Sequence, residues 1–205
     1  MILNDKKIKQ YIKEGKIKVS PFDEKLVGPA SLDVRLGHKF RIFKAVESDL
    51  IDIKNYEDDV RTRIDTEDYV IHIGKYSDVY IAKRDDVPII IHPGEFILAS
   101  VYEYIELPDY IVGQLHGRSS IGRLGILVHT SAGYIDPGYR GNLTLEIYNV
   151  NKVPVKLYPK TRIAQIVFFE IEPVEVPYNV RKDSKYVGEE GATYSLISRD
   201  FKNNF

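Results

Sequence analysis

Short apolar segments that end at turn signals dominate the sequence from Ile17 onward. The segments are rich in Val, Ile, Tyr and Phe, and Pro-Gly, Asp-Pro-Gly, Leu-Pro and Tyr-Pro pairs separate them. β-branched and aromatic residues favour strands, whereas proline and glycine favour turns. Many short strands at this spacing indicate a mainly β fold, either a sandwich or a distorted, jelly-roll-like barrel. The strands are expected at residues 31–36, 39–43, 69–73, 79–82, 89–92, 96–102, 111–116, 143–149, 156–158 and 162–172.

One short helix is expected at the amino terminus. Asn4 or Asp5 can cap it, and Gly15 offers a stop. Its apolar residues recur at the i, i+3 and i+4 spacing of one helix face: Ile8, Tyr11 and Ile12.

The chain has 205 residues and a mass of 23.6 kDa, which suits a single domain over residues 1–205. Residues 45–86 carry charge runs between thin apolar stretches, so we expect a charged, solvated hairpin insertion there. Residues 179–205 are polar. This tail is expected to be either a frayed end or a segment that orders by closing over a ligand.

Composition excludes several classes of function. Lys and Arg number 29 against 30 Asp and Glu, so no global field attracts nucleic acid or an anionic membrane, and an anionic ligand needs a local cationic cluster. The sequence has no cysteine, which excludes disulfides, thiol nucleophiles and zinc sites with thiolate ligands. We find no signal peptide or apolar membrane span in it and expect a cytoplasmic protein.

Glycine, serine and arginine are concentrated in residues 113–141, with the sequence GQLHGRSSIGRLGILVHTSAGYIDPGYRG. Backbone N–H groups in a turn, together with guanidinium and hydroxyl groups, suit a polyphosphate. A P-loop is excluded because Arg123-Leu124 stands where Lys and Ser/Thr are needed. An ordinary turn with surface arginines is the alternative. The side chains in question are Arg118, Ser119, Ser120 and Arg123.

Glu146 lies in a predicted strand, where alternation places it on one face with Thr144 and opposite Leu145. It is either a solvent-facing residue or a partly buried acid/base, with a pKa tuned by burial and by a cation such as Arg123. Asp136 either caps a turn or accepts a hydrogen bond from a sugar hydroxyl. The five histidines are scattered singly, which weakens any histidine-based metal site.

Taken together, these motifs resemble the dCTP deaminase branch of the dUTPase-like superfamily. The resemblance rests on Gly-Arg-Ser-Ser-Ile-Gly-Arg-Leu-Gly at 117–125, Ala-Gly-Tyr-Ile-Asp-Pro-Gly at 132–138 and Thr-Leu-Glu at 144–146. It begins with Ile-Leu-Asn-Asp at 2–5 and Ser-Leu-Asp-Val-Arg-Leu-Gly at 31–37 and includes Leu-Pro-Asp at 107–109. It continues through Arg-Ile-Ala-Gln at 162–165 to Pro-Tyr at 177–178 and Ser-Lys-Tyr at 184–186. It therefore covers nearly the whole chain outside the charged insertion.

The resemblance implies a distorted β-barrel subunit, a homotrimer and active sites at subunit interfaces. It implies dCTP as substrate, dUTP as a further ligand, dTTP as an inhibitor and Mg²⁺ bound through the nucleotide phosphates, with no metal ligand from protein side chains. Asp136 matches the position that recognises the deoxyribose 3′-hydroxyl, and Tyr139 lies where a ring packs near the sugar. The other matching substrate-binding residues are Arg118, Ser119, Ser120, Ile121, Gly122, Arg123, Thr144, Leu145, Glu146, Gln165, Tyr178, Lys185 and Glu189.

The resemblance also places Glu146 at the family's catalytic glutamate. Ser119, Arg123 and the backbone carbonyl of Ala132 are then expected to hold the attacking water. Because the cysteine ligands of zinc-dependent cytidine deaminases are missing, Glu146 is expected to activate this water without zinc.

Gly133-Tyr134 resembles the bifunctional members of the family, which carry dCTP on to dUMP and pyrophosphate. Gly133 is expected to leave room near the α-phosphate, with Gln165 supporting the pocket wall; the alternative is that it relieves a tight turn. Glu189 departs from the usual glutamine, and its charge near phosphates needs compensation by magnesium or Lys185. Ser131 replaces a common threonine. The alternatives are a monofunctional deaminase that releases dUTP, an enzyme that acts on dUTP only, and a nucleotide-binding barrel without catalysis.

Overall fold

The structure, a computed structural model, describes residues 1–44 and 50–202. Strands dominate it, as the sequence predicts. The helices are α1 (Asp5–Lys13), α2 (Ser119–Gly122) and α3 (Arg199–Lys202), with a 3₁₀ turn at Glu24–Leu26. The strands are β1 (Lys18–Ser20), β2 (Leu32–Phe43), β3 (Thr62–Asp65), β4 (Tyr69–Ile73), β5 (Ser77–Ala82), β6 (Ile89–Ile91), β7 (Phe96–Glu106), β8 (Ile111–Gly117), β9 (Ile126–Leu127), β10 (Tyr134–Ile135), β11 (Arg140–Asn149), β12 (Val155–Leu157), β13 (Arg162–Glu170) and β14 (Glu189–Glu190).

The predicted amino-terminal helix is confirmed. The Asn4 side chain accepts a hydrogen bond from the Lys7 amide at 3.0 Å, which caps the first turn. Ile8 and Tyr11 are buried, and the Tyr11 hydroxyl donates to the Glu170 carboxylate at the end of β13. The apolar face of α1 therefore packs on the barrel.

Twelve strands form one strongly bent sheet, and β6 and β12 form a separate pair. Strand β2 links the two halves of the large sheet: its first part pairs with β13, and its second part pairs with β5 and β7. Strand β7 in turn pairs with β11. This arrangement confirms the mainly β, distorted-barrel fold. Residues on one face of β11 are buried, and residues on the other face are partly exposed.

Strand β2 is continuous across Gly37, although the sequence predicts a break between residues 36 and 39. A Cβ at Gly37 would overlap the Ser100 side chain of β7. Glycine here permits close approach of the two strands, and the pairing shifts register between Leu36 and Phe40. The glycine marks a strand irregularity rather than a turn.

The core lies between the two halves of the bent sheet. Alternating residues of β2, β7, β11 and β13 point into it, and each fully buried Leu, Ile or Phe side chain contributes about 1.5–3 kcal/mol by leaving water. The largest fully buried side chains are Phe40, Phe168, Leu3, Ile8, Ile17, Leu32, Leu36, Ile91, Ile97, Ile105, Ile111 and Ile126.

The expected charged hairpin at 45–86 differs from the structure in its second half, and residues 45–49 lie outside the described residues. Strands β3 and β4 pair as a hairpin, but β5 pairs with β2 and so belongs to the main sheet. Asp58 and Ser77 are fully buried. The sequence does not reveal this burial, because buried residues lie within or beside the charge runs at 57–59 and 83–86.

The carboxyl-terminal tail is not a frayed end over its described part. Strand β14 pairs in parallel with β11, and Gly191 and Ala192 are buried. Whether the tail moves over a ligand stays a prediction. In the described part of the chain, no helix has the length and apolar character needed to cross a membrane.

Candidate active site

A cavity of about 390 Å³ opens beside β11, between the loop that leads into β10 and the carboxyl-terminal tail. Most of its lining residues come from three parts of the chain: residues 132–139, β11 and the tail. The lining residues are Leu98, Ala132, Tyr134, Ile135, Asp136, Tyr139, Leu143, Thr144, Glu146, Tyr178, Tyr186, Glu189, Thr193 and Ser195.

Glu146 reaches this cavity because of strand alternation, as the sequence predicts. Leu145 is fully buried in the core, whereas Glu146 is partly exposed on the opposite face. Leu145 and the buried Ile121 of α2 do not line the cavity.

The loop at residues 130–132 holds the Glu146 carboxylate. Its Oε2 accepts hydrogen bonds from the Thr130 hydroxyl at 2.6 Å, the Thr130 amide at 3.1 Å and the Ser131 amide at 3.2 Å. Burial raises the pKa of Glu146, but bonds from the Thr130 hydroxyl and from the Thr130, Ser131 and Ala132 amides outweigh it and leave the pKa below its usual value. Glu146 is therefore a carboxylate at neutral pH.

The sequence analysis suggests a cation such as Arg123 as the group that tunes the pKa of Glu146. Within the described subunit, a hydroxyl and backbone amides lower that pKa instead. Arg123 is exposed at the end of α2, and part of the segment that precedes it borders a second concavity of about 270 Å³. Its lining includes Arg118, Ser119 and Gly122. The structure thus separates the candidate phosphate-binding residues from the Glu146 cavity within one chain.

Arg118 is oriented by neighbouring strands. Its Nε lies 3.2 Å from the Asp33 carboxylate on β2, and its Nη1 donates to the Arg162 carbonyl at 3.3 Å. Gln165 is directly opposite Asp33 in the β13–β2 pairing, and it accepts a hydrogen bond from the Ser31 hydroxyl at 3.3 Å. Gln165 therefore lies on the Arg118 side of the subunit rather than in the wall of the Glu146 cavity.

Asp136 and Tyr139 also line the Glu146 cavity. Asp136 is exposed and free to accept a hydrogen bond from a ligand hydroxyl. Tyr139 is buried, and its ring centroid lies 6.2 Å from that of Tyr178. Two rings and a carboxylate form a surface suited to one face and one hydroxyl of a sugar.

Glu189 is mostly buried in the cavity wall. Its carboxylate accepts hydrogen bonds from the Tyr139 hydroxyl at 3.0 Å and the Thr144 hydroxyl at 2.9 Å. Burial raises the pKa of Glu189, and the hydroxyl donors only partly oppose the increase. The expected compensation by Lys185 is not what the structure has, because Lys185 Nζ pairs with Asp200 at 2.6 Å.

Gly133 packs tightly where the sequence-based hypothesis expects free room. A Cβ there would lie 3.0 Å from the Leu115 carbonyl oxygen and 3.2 Å from His129 Cε1. The Leu115 amide also donates to the Gly133 carbonyl at 2.7 Å. Glycine thus lets the Glu146-binding loop rest on β8, while the neighbouring Tyr134 is 64% exposed at the cavity mouth.

Comparison with known proteins identifies the family. The family model described as dCTP deaminase-like matches residues 2–171. The chain belongs to this family. It is 52% identical over 201 residues to "dCTP deaminase, dUMP-forming" from Nanoarchaeum equitans, covering 98% of this chain and 100% of that protein. It is 47% identical to the protein of the same name from Methanosphaera stadtmanae, covering 98% and 95%.

A solved structure supports the family's fold. The 2′-deoxycytidine 5′-triphosphate deaminase from Agrobacterium tumefaciens matches with a TM-score of 0.56 and 24% identity. The match covers 82% of this chain and 47% of that chain, so this chain spans about half of its length. The family and the fold predicted from the sequence are both confirmed.

Several residues around this cavity were not predicted from the sequence. Thr130 donates the shortest hydrogen bond to Glu146. The sequence indicates this residue only by its position between two glycine-rich turns. Tyr186, Thr193 and Ser195 line the cavity from the tail. Tyr186 lies within a matching motif, but nothing in the local sequence shows that the tail returns to β11.

Among residues 1–44 and 50–202, no group of three or more His, Asp or Glu side chains is arranged to hold a metal ion. Asp136 is an exposed carboxylate in the lining of the cavity.

Proposed function

We propose that this chain is a dCTP deaminase that also forms dUMP. The proposal is supported by family membership and by the near-full-length relatives named "dCTP deaminase, dUMP-forming". The observation that carries it is the Glu146 carboxylate, which the loop at 130–132 holds ionised at the cavity wall. An ionised, fixed carboxylate beside a pocket of nucleoside size is suited to act as a general base.

In the proposed deamination, Glu146 takes a proton from a water molecule as the oxygen of that water bonds to C4 of cytosine. Glu146 passes this proton to N3, and the proton of the new C4 hydroxyl passes through Glu146 to the exocyclic nitrogen. The C4–N bond then breaks to release ammonia, and C4 becomes a carbonyl. The products are dUTP and NH₃. Ser119, Arg123 and the Ala132 carbonyl are proposed to hold the water, with Arg123 opposing the negative charge that develops.

In the second proposed step, water attacks the α-phosphorus of dUTP, and the bond to the bridging oxygen breaks to give dUMP and pyrophosphate. Tyr134 lies at the cavity mouth and Gly133 precedes it in a closely packed loop. The backbone of this loop is proposed to lie near the α-phosphate. Magnesium, carried on the triphosphate oxygens, would supply charge neutralisation for the leaving pyrophosphate.

The proposed active site is shared between subunits of a homotrimer. The concavity at residues 118–123 and the Glu146 cavity are separate in one chain, although both types of group are needed for one triphosphate. A neighbouring subunit can bring its Arg118 segment to the Glu146 cavity, as heterologous contacts in a ring allow.

Active-site complementation tests this arrangement. Arg118→Ala and Glu146→Gln variants, each expected to be inactive alone, are co-expressed with different tags and purified as mixed oligomers. If the site is shared in a homotrimer, every mixed trimer keeps about one intact site in three and restores about one third of the activity. No recovery in mixed oligomers of proven composition would place both residues in the same subunit's site.

Product analysis tests the reaction itself. The protein is incubated with dCTP and magnesium, with and without a chelator, and with dTTP in a parallel sample. Ammonia, dUMP and pyrophosphate in equal amounts, lost with the chelator and reduced by dTTP, are expected. Ammonia with dUTP alone means a monofunctional deaminase, turnover of dUTP only means a dUTPase, and no product favours a nucleotide-binding barrel.

A further inference from the structure

A buried ion pair joins three distant parts of the chain next to the cavity. Arg41 of β2 is 5% exposed and Asp58 is fully buried. Arg41 Nη1 donates to Asp58 Oδ2 at 3.1 Å and to the Ser77 hydroxyl at 2.8 Å, while its Nε donates to the Ala192 carbonyl at 3.0 Å. One guanidinium group thus ties the sheet, residues 56–59 and the tail together. We call Arg41, Asp58 and the Ala192 carbonyl the tail latch.

The remaining acceptor of Asp58 is also occupied. Its Oδ1 accepts from the amides of Tyr76 at 2.8 Å and Ser77 at 3.3 Å. A buried carboxylate and a buried guanidinium are stable together only when their hydrogen bonds are satisfied, and removing one partner leaves the other charged and unpaired. The tail latch is therefore a fixed contact rather than one of several interchangeable surface pairs.

Tyr194 strengthens the contact between the tail and residues 56–59. Its hydroxyl donates to the Asp59 carboxylate at 2.9 Å, and its ring meets the Tyr56 ring edge-on at 6.0 Å. The Arg41 guanidinium carbon lies 5.3 Å from the centroid of the Tyr194 ring. The aromatic and polar contacts all act at the same short stretch of tail.

That stretch continues directly into the cavity wall. Ala192 lies between Glu189 and Thr193, which both line the cavity, and the Thr193 amide donates to the Thr144 hydroxyl at 3.3 Å. Ala192 has a φ of 50°, a left-handed conformation that costs energy for a residue with a Cβ. Arg41 accordingly holds a strained turn, and residues on both sides of that turn line the cavity.

We propose that Arg41 and Asp58 are positioning residues that keep the tail wall of the cavity in its substrate-binding geometry. The tail latch touches no reacting atom, so it acts on substrate affinity rather than on the chemical step. The proposal takes the identity of the substrate from the proposed function, but the closure of the tail is independent of it.

The lack of cysteine allows a direct measurement of tail opening. Ser198 lies in the tail and is 5% exposed, so Ser198→Cys places a near-isosteric, buried thiol there. Val34→Cys places a fully buried thiol in β2 as a probe of global unfolding. Labelling by a thiol reagent then follows each kind of opening. In an Asp58→Asn background we expect at least about tenfold faster labelling at Ser198→Cys and an unchanged rate at Val34→Cys.

Kinetics give the second measurement. Asp58→Asn and Arg41→Lys are expected to raise the KM for dCTP about tenfold while kcat stays within about twofold. Glu57→Gln is the matched control, because the Glu57–Lys202 ion pair joins the same two segments but is exposed. It should leave labelling and KM unchanged.

Equal labelling rates with and without Asp58 would overturn the proposal. So would equal acceleration at both thiol probes, because the pair would then stabilise the whole fold instead of the tail. A fall in kcat without a change in KM would also contradict it. If dCTP is not turned over, the proposed function fails, while the labelling result still decides whether the tail latch exists.

Discussion

Replacing Glu146 with glutamine removes one charge and keeps the shape of the side chain. The carboxamide oxygen of the Glu146→Gln variant can still accept from the Thr130 hydroxyl, the Thr130 amide and the Ser131 amide, which bond Glu146 at 2.6–3.2 Å. The loop at 130–132 is therefore expected to stay in place, and the cavity that binds the nucleotide should be preserved. The variant loses the negative charge and the basicity of the group but keeps its position.

The size of each effect follows from this geometry. Loss of a general base lowers kcat about 10²–10⁴-fold, while KM should change by no more than about twofold. Bonds to a charged acceptor are roughly twice as strong as neutral ones, but Glu146 is only partly buried, so the variant should lose about 1 kcal/mol of stability. For a chain of this size that is a fall of about 2–4 °C in Tm.

The stability difference depends on pH with a defined sign. Because the pKa of Glu146 is lowered in the folded state, its stabilisation is present above the pKa of the unfolded chain. It is lost as the pH falls through the lower, folded-state pKa. The Tm of Glu146→Gln should therefore lie below that of the wild type at neutral pH, and the two values should converge as the medium is acidified.

Three measurements test this reasoning: ammonia release from dCTP, calorimetric titration with dCTP, and melting curves at several pH values. Glu172→Gln, an exposed carboxylate outside the cavity, is the control and should match the wild type in all three. Turnover within about tenfold of the wild type would refute the role of Glu146 as base. Loss of nucleotide binding in a folded variant would refute the claim that the loop stays in place.

Three further variants test single contacts. Thr130→Val removes one bond that lowers the pKa of Glu146, so the acid limb of the kcat/KM profile should move to higher pH; an unmoved limb contradicts this. Glu189→Gln should raise Tm at neutral pH. The pKa of Glu189 is raised in the folded state, so its ionisation destabilises the fold once the pH exceeds the unfolded-state pKa. A lower Tm would show that the charge is compensated. Gly133→Ala should slow deamination as well as dUMP formation, because its Cβ presses on His129 and displaces the loop; loss of dUMP formation alone would assign Gly133 to the second step only.

Local patterns in the sequence predict most of the strands and one side of the site. Period-two alternation places Glu146 and Thr144 on the face opposite Leu145, and the capping residue and apolar spacing define α1. These features depend on residues that are near one another in the chain. The strand break expected at Gly37 is wrong. Glycine is needed there because Ser100 packs against it, and Ser100 lies on another strand.

The rest of the site depends on contacts between distant segments. Thr130 meets Glu146 across a loop, and Glu189 meets Tyr139 because the tail returns to β11. The charge run at 57–59 resembles a solvated surface, yet Asp58 is buried because Arg41 is there to pair with it. No periodicity reports a partner that lies tens of residues away.

The short parallel strand β14 has a further effect on the sheet. β11 pairs with β7 along one edge, and on its other edge β14 pairs with Gly141 and Asn142. Open strand edges recruit strands from other chains and promote aggregation. Glu189 therefore both lines the cavity and shields a strand edge, so a change that loosens this part of the tail would open the cavity and expose the sheet to aggregation together.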